Sequence, residues 1–296
     1  MSFEQFFQYF LSGVTSGSIY AIIAIGFNII YNTTGIINFA QGEFLILGGM
    51  IGVSLSSFLP LPLAIAAAVV ATMVVGALID FLFIKWLKDP SVLRLIIITI
   101  GVSILIRESM LHIWDEKVRT LRHFTGTEIS SLKILGAYIS PQALWVLGIS
   151  AVIVVALTLF FRLTLVGRAM RACSDNRTAA RLCGIRASQM VTFSFMLSAA
   201  IGALAGCAIS PLTQTQYDMG AILAIKGFTV AILGGLGNST AAVVAGLGLG
   251  LLEAFSIAVL PLAYVDAVSI AVLLVILFFR PSGLFGNREA SALKEF

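Results

Sequence analysis

The chain has 296 residues, of which 59% are hydrophobic and only 11% charged, with a mean hydropathy of +1.05. A soluble domain carries about 25% charged residues, so water is not the main solvent of this chain. The stretches 5–42, 44–79, 187–217 and 227–252 contain no Asp, Glu, Lys or Arg, and each is long enough for a hydrocarbon core that takes about 20 apolar residues. Runs such as "AVIVVALTLFF" lack the alternation of a membrane β-barrel. The expected fold is an all-α polytopic membrane protein of about eight or nine transmembrane helices, forming one transmembrane domain over 1–296.

In chain order, "MSFEQFFQYF" has no basic n-region and no cleavage site after a short apolar core, so the first apolar run is expected to stay in the protein. The predicted spans are 10–31, 44–58, 63–84, 95–111, 143–161, 190–209, 221–235, 240–260 and 265–279. Broken helices are predicted near 32–43 and 234–240. The longest polar excursion, about 112–140, lies between the fourth and fifth spans. A basic arm, about 163–187, follows the fifth. Six arginines (162, 168, 171, 177, 181, 186) face one acid, Asp175, in that arm. Lys85, Lys88 and Arg94, and later Arg280, Arg288 and Lys294, fall on the same side if all nine runs cross. The positive-inside rule makes that side cytoplasmic and the excursion external. If a short run is re-entrant, the N-terminus changes sides.

Glycine pairs four apart, Gly13/Gly17, Gly48/Gly52, Gly202/Gly206 and Gly246/Gly250, predict close helix–helix approach in lipid. The three cysteines, Cys173, Cys183 and Cys207, give no disulfide framework and no metal spacing.

No H-E-x-x-H, G-x-S-x-G or CxxC occurs, and "GGLGNS" lacks the Lys of a nucleotide-binding loop. His112 and His123 have no carboxylate placed for a triad. The chain is therefore not expected to be an enzyme, to hold a metal or cofactor, or to bind nucleic acid. Ionisable residues near the membrane are functional candidates by default. Asp80, Asp266, Arg107 and Glu108 are assigned to snorkelling at span ends. Lys226 lies inside a span and either reaches the outer headgroups or, like Glu253, contacts cargo. No midplane carboxylate pair for an ion-driven carrier is identified.

Two interruptions carry the functional reading. In "NTTGIINFAQGEF" (32–44), Gly35 can end one helix and Glu43 can sit in the first turn of the next, where the macrodipole favours a carboxylate. Irregular backbone at membrane depth is tolerated where protein or a water-filled cavity surrounds it, and broken helices line transport pathways. The alternative is a short interfacial loop. The expected pathway residues are Asn38, Phe39, Gln41, Gly42 and Glu43, with Gly234, Gly235 and Asn238 from "GGLGNS". In the arm, "GRAMRACSDNRTAARLCGI" (167–185), Ser174 or Asp175 is expected to cap a short helix, 177–183, that stops at Gly184. A plain positive-inside loop would explain its arginines but not its alanines.

These segments, with "GSIYAIIAIGFNIIYNTTGIINFAQGEFLILGG" (17–49), "FTVAILGGLGNSTAAVVAGLGLGLLE" (228–253) and "RPSGLFG" (280–286), resemble in order the LivH-like permease subunits of branched-chain amino acid ABC importers. The resemblance implies an inner-membrane subunit paired with a second, LivM-like permease, two ATP-binding-cassette ATPases and a periplasmic substrate-binding protein. It implies that Gly167, Arg168, Arg171, Asp175, Ala179, Ala180 and Gly184 belong to a cytoplasmic segment that docks on an ATPase, and that "NFAQGE" lines the path. Such permeases commonly have His where this chain has Gln41. Gln keeps donor and acceptor capacity but does not titrate near neutral pH, which argues for a neutral contact. Within the resemblance the cargo is open between branched-chain or other apolar amino acids and urea or short amides. A stand-alone ion-coupled carrier is the reading from another class.

Overall fold

The computed structural model describes residues 2–87, 91–134, 136–261, 264–280 and 283–285. Lys88, Arg288 and Lys294, and Pro281, Ser282 and Gly286 of the last motif, lie outside the described residues. Helices dominate: α1 (Phe3–Thr34), α2 (Gln41–Leu55), α3 (Leu61–Ile79), α4 (Val92–Trp114), α5 (Pro141–Leu163), α6 (Leu165–Asp175), α7 (Arg177–Leu182), α8 (Ala187–Thr213), α9 (Met219–Gly234), α10 (Ser239–Ser256) and α11 (Val265–Phe279). A π-helical turn, Asp80–Ile84, extends α3. A hairpin of β1 (Leu132–Ile134) and β2 (Ala137–Ile139) folds the outer excursion.

Among the described residues, five helices are long and apolar enough to cross a membrane: Phe3–Thr34, Leu61–Ile84, Pro141–Leu163, Ala187–Thr213 and Ser239–Ser256. Three shorter apolar helices, α2, α9 and α11, join them. The first span is longer than the expected 10–31. Ser2 and Gln5 form a capping box that starts α1 at Phe3, seven residues before the expected Phe10. The fourth span likewise runs on to Trp114, where Asp115 takes a positive φ of 58° and ends it.

The glycine pairs set the closest approaches. A Cβ on Gly17 would lie 2.6 Å from the Gly246 carbonyl oxygen, and one on Gly13 would lie 2.8 Å from Leu251 Cα, so α1 and α10 touch backbone to backbone. Gly202 faces Phe44 at 3.0 Å, while Gly48 and Gly206 abut Ala203 and the Leu45 carbonyl, which seats α2 on α8. Without a hydrophobic force between helices in lipid, this backbone contact supplies the packing. The buried centre is α1, where every residue from Gly17 to Ile30 is buried.

Three contacts mark one end of the bundle. Thr192, near the start of α8, donates to Asp80 at 2.5 Å. Gly237 donates to Asn28 at 3.0 Å, and Asn32 donates to the Gly237 carbonyl at 2.9 Å. The end of α3, the end of α1, the α9–α10 turn and the arm therefore lie together. The opposite end carries the hairpin, which Gln8 of α1 holds through Tyr138.

Candidate functional site

The first interruption is built by its own residues. Gly35 adopts φ 75° and ψ 6°, a left-handed cap whose N–H reaches the Tyr31 carbonyl at 2.7 Å; this conformation favours glycine. Thr34 donates back to Ile30 at 2.6 Å and accepts from the Ile36 N–H. The chain then turns inward, and Asn38, fully buried, accepts from the Ala40 N–H at 3.2 Å. Helix α2 starts at Gln41 against Ser198, in the middle of α8, so it begins at mid-depth in the bundle.

Gln41 braces three helices. The Ser198 hydroxyl lies 2.9 Å from the Gly26 carbonyl and 2.5 Å from Gln41 Oε1, with one proton for the two acceptors. A Cβ on Gly26 would collide with the Gln41 amide, so the glycine makes room for it. Gly42 packs directly on the Gly220 carbonyl of α9. Glu43 is 1% exposed; its Oε1 accepts from Ser103 of α4 at 3.0 Å, and its Oε2 has no hydrogen-bond partner among the described residues. The Asn38 amide nitrogen is likewise without one.

Between α4 and α9 lies a cavity of about 410 Å³. Its walls are Ile100, Ser103, Ile104 and Arg107 on one side and Ala221, Ala224, Ile225 and Phe228 on the other, with Phe39 from the break. The Phe39 and Phe228 rings lie 5.6 Å apart, tilted by 52°. Of the expected pathway residues in this break, Phe39 lines the cavity; Asn38, Gln41, Gly42 and Glu43 do not, although Glu43 bonds Ser103 and Gly42 packs near Ala224 of its wall. Arg107, assigned from sequence to a span end, lies instead in that wall seven residues before the end of α4.

Gly234, Gly235 and Asn238 lie apart from this group, at the arm end. Gly235 ends α9 with φ 92°, and Asn238 caps α10 by accepting from the Ala241 N–H at 3.1 Å. Asn238 lines a second cavity, of about 470 Å³, with Asn32, Arg162, Arg171 and Asp175.

The arm is two helices. Thr164 caps α6 through the Gly167 N–H at 2.9 Å, and Gly167 sits on the Phe160 carbonyl. Met170 and Cys173 face inward, while Arg168, Arg171 and Asp175 are exposed. The cap of α7 is Asn176, whose Oδ1 accepts from Thr178 and Ala179 N–H at 3.0 and 2.9 Å, and not Ser174 or Asp175. Those two residues are spent in the last turn of α6. Gly184 stops the unit with φ 82°. Ala180 is buried, Ala179 is exposed and Leu182 is 85% exposed. Burial pushes the Cys173 thiol up from its ordinary value.

A second polar cluster escaped the sequence reading. Lys226 of α9 pairs with Glu253 of α10 at 3.2 Å and with Asp266 of α11 at 2.8 Å. Tyr20 donates to Glu253 at 2.6 Å, and Ser269 donates to it as well. Lys226 is therefore held inside the bundle, and Asp266 is its partner at the start of α11.

The family model described as "Branched-chain amino acid transport system / permease component" matches residues 9–277. The chain belongs to this family. It is a transport permease subunit and a multi-pass membrane protein. The high-affinity branched-chain amino acid transport system permease protein BraD of Pseudomonas aeruginosa is 32% identical over 96% of this chain and 97% of that protein. LivH of Salmonella typhimurium, of the same description, is 33% identical over 97% of each chain. The ribose import permease protein RbsC of Escherichia coli K12 is 25% identical over 80% of this chain and 74% of its own length.

Proposed function

We propose that this permease is the LivH-like half of an ATP-driven importer in a bacterial inner membrane, carrying leucine, isoleucine, valine or other apolar amino acids. The observation that carries the reading is the start of α2 at mid-depth beside an apolar cavity. A helix that begins inside the bundle gives a solute a polar waypoint without opening the membrane. The cavity volume falls in the range of small-molecule sites, about 300–1,000 Å³.

A second, LivM-like permease completes the pathway, a periplasmic binding protein delivers cargo at the hairpin end, and two ATPases dock on the arm. The arm suits that role: an exposed Leu182 and Ala179 on a capped short helix are what a partner groove takes. The force path is short. Helix α8 follows α7 after four residues and carries Ser198, which holds Gln41 at the start of α2. Displacement of the arm moves α8, and α8 carries the break with it. ATP is hydrolysed in the partner subunits, and no bond of the cargo changes.

Reconstitution tests the reading. Proteoliposomes holding both permeases, the ATPases and the binding protein should take up labelled leucine only with ATP inside the ATPase compartment. Uptake by this chain without ATPases would instead establish a stand-alone carrier. Uptake of urea or short amides in place of leucine would reassign the cargo.

A further inference from the structure

Two features of the α4–α9 cavity are unexplained by packing. Arg107 is a half-buried guanidinium in a membrane helix with no salt bridge among the described residues, where both ion pairs belong to Lys226. Glu43, across the wall, is buried with one carboxylate oxygen lacking a donor. Ionisable groups with unused hydrogen-bonding capacity in such a setting mark sites of function.

We propose that this cavity is a binding site for a zwitterionic α-amino acid with an apolar side chain, its carboxylate on Arg107 and its ammonium group at Ser103, with Glu43 behind that hydroxyl. The inference rests on the amino acid reading above and adds the site and its recognition chemistry. The guanidinium fork matches the two oxygens of a carboxylate. The Ser103 hydroxyl spends its proton on Glu43 Oε1, so its lone pairs are left to accept from an ammonium group. The carboxylate behind it supplies the opposite charge. Phe39 and Phe228, with Ile100 and Ile104 opposite, offer a wall for a branched aliphatic chain. A charged or amide side chain would meet no partner among these apolar groups, which sets the selectivity.

The test uses the complete permease–ATPase complex in nanodiscs without binding protein, probed with tritiated leucine and unlabelled competitors. Leucine should bind saturably. Isocaproate, which lacks the ammonium group, and isoamylamine, which lacks the carboxylate, should each compete about 10-fold more weakly, the loss of one charged hydrogen-bonding group. Arg107→Gln should weaken leucine about 10-fold or more and leave isoamylamine unchanged, and Arg107→Lys should fall between. Ile104→Trp, at an exposed position on the rim, should fill the cavity and block leucine while the complex still assembles. The site is refuted if the wild-type complex shows no saturable leucine binding, if Arg107→Gln binds leucine as wild type does, or if it weakens isoamylamine equally. ATP-driven uptake by the same purified complexes, reconstituted into proteoliposomes with the binding protein, separates the two failures. Wild-type leucine uptake with an indifferent Arg107 overturns the site alone, whereas uptake of another solute and not leucine overturns the amino acid reading.

Discussion

Replacing Gly17 with Ala inserts a methyl group at the α1–α10 seam. Its carbon would lie 2.6 Å from the Gly246 oxygen and 2.8 Å from Leu247 Cα, against about 3.5 Å for relaxed contact. Both neighbours are backbone atoms of a helix, so the two helices part by about 1 Å, and a gap of that size forfeits up to about half of each neighbouring dispersion contact. The Gly13 and Gly250 approaches on the same seam loosen with it. Overpacking of this kind costs about 1–3 kcal/mol. Gly248, on the same α10, is the internal control: it is exposed and nothing lies within 4 Å of its Cβ position. Gly248→Ala should gain up to about 1 kcal/mol of helix propensity. SDS titration of purified protein in mixed micelles, read by circular dichroism, should separate the two variants by about 2 kcal/mol or more. Equal unfolding midpoints, within about 0.5 kcal/mol, would refute the claim that backbone contact holds this seam.

Gly184→Val should strain the arm by about 1–2 kcal/mol, since its φ of 82° suits no β-branched residue and there is open space around it to exclude a clash; faster proteolysis at the arm and reduced coupled uptake are the readouts. Asn176→Ala should cost about 1 kcal/mol of α7 stability and expose the same cleavage site. Maleimide at neutral pH should label exposed Cys183 well before Cys173, whose burial holds its thiol protonated; labelling of both at one rate would contradict the packing of α6. Lys226→Met should destabilise by about 3 kcal/mol because Glu253 stays buried without its cation, and Lys226→Met with Glu253→Gln should recover part of the loss. Thermal unfolding in detergent compares the two, and a single variant as stable as wild type would sink the assignment.

The first break was legible because Asn38, Gln41 and Glu43 crowd into an otherwise apolar stretch and Gly35 precedes them. The glycine pairs were legible because a four-residue spacing puts them on one helix face. Which pairs meet was not, since Gly17 finds Gly246 across more than two hundred residues. Long-range pairing also hid the Lys226 cluster: its carboxylates sit on two later helices, and only the fold converges them. Arg107 was misjudged because a charge near a span end looks the same in sequence whether it faces headgroups or a cavity. The α7 cap was missed by one residue, because Ser174, Asp175 and Asn176 are all good caps and tertiary packing of α6 decides among them. The expected pathway residues divide into a mid-depth group and an arm-end group, a separation that a one-dimensional pattern does not encode.

The α1–α10 seam has a thermodynamic consequence beyond its tightness. Gly13, Gly17 and Ala21 meet Gly246, Gly250 and Ala254, and neither glycine nor alanine has rotamers to lose. Closing this seam therefore carries almost no side-chain entropy cost, and nearly all of its dispersion energy is kept. The α4–α9 cleft is the reverse: Ile100, Ile104, Ile225 and Phe228 are large side chains that lose rotameric freedom when brought together. Side-chain ordering thus opposes closure of the cleft and adds almost nothing against closure of the seam.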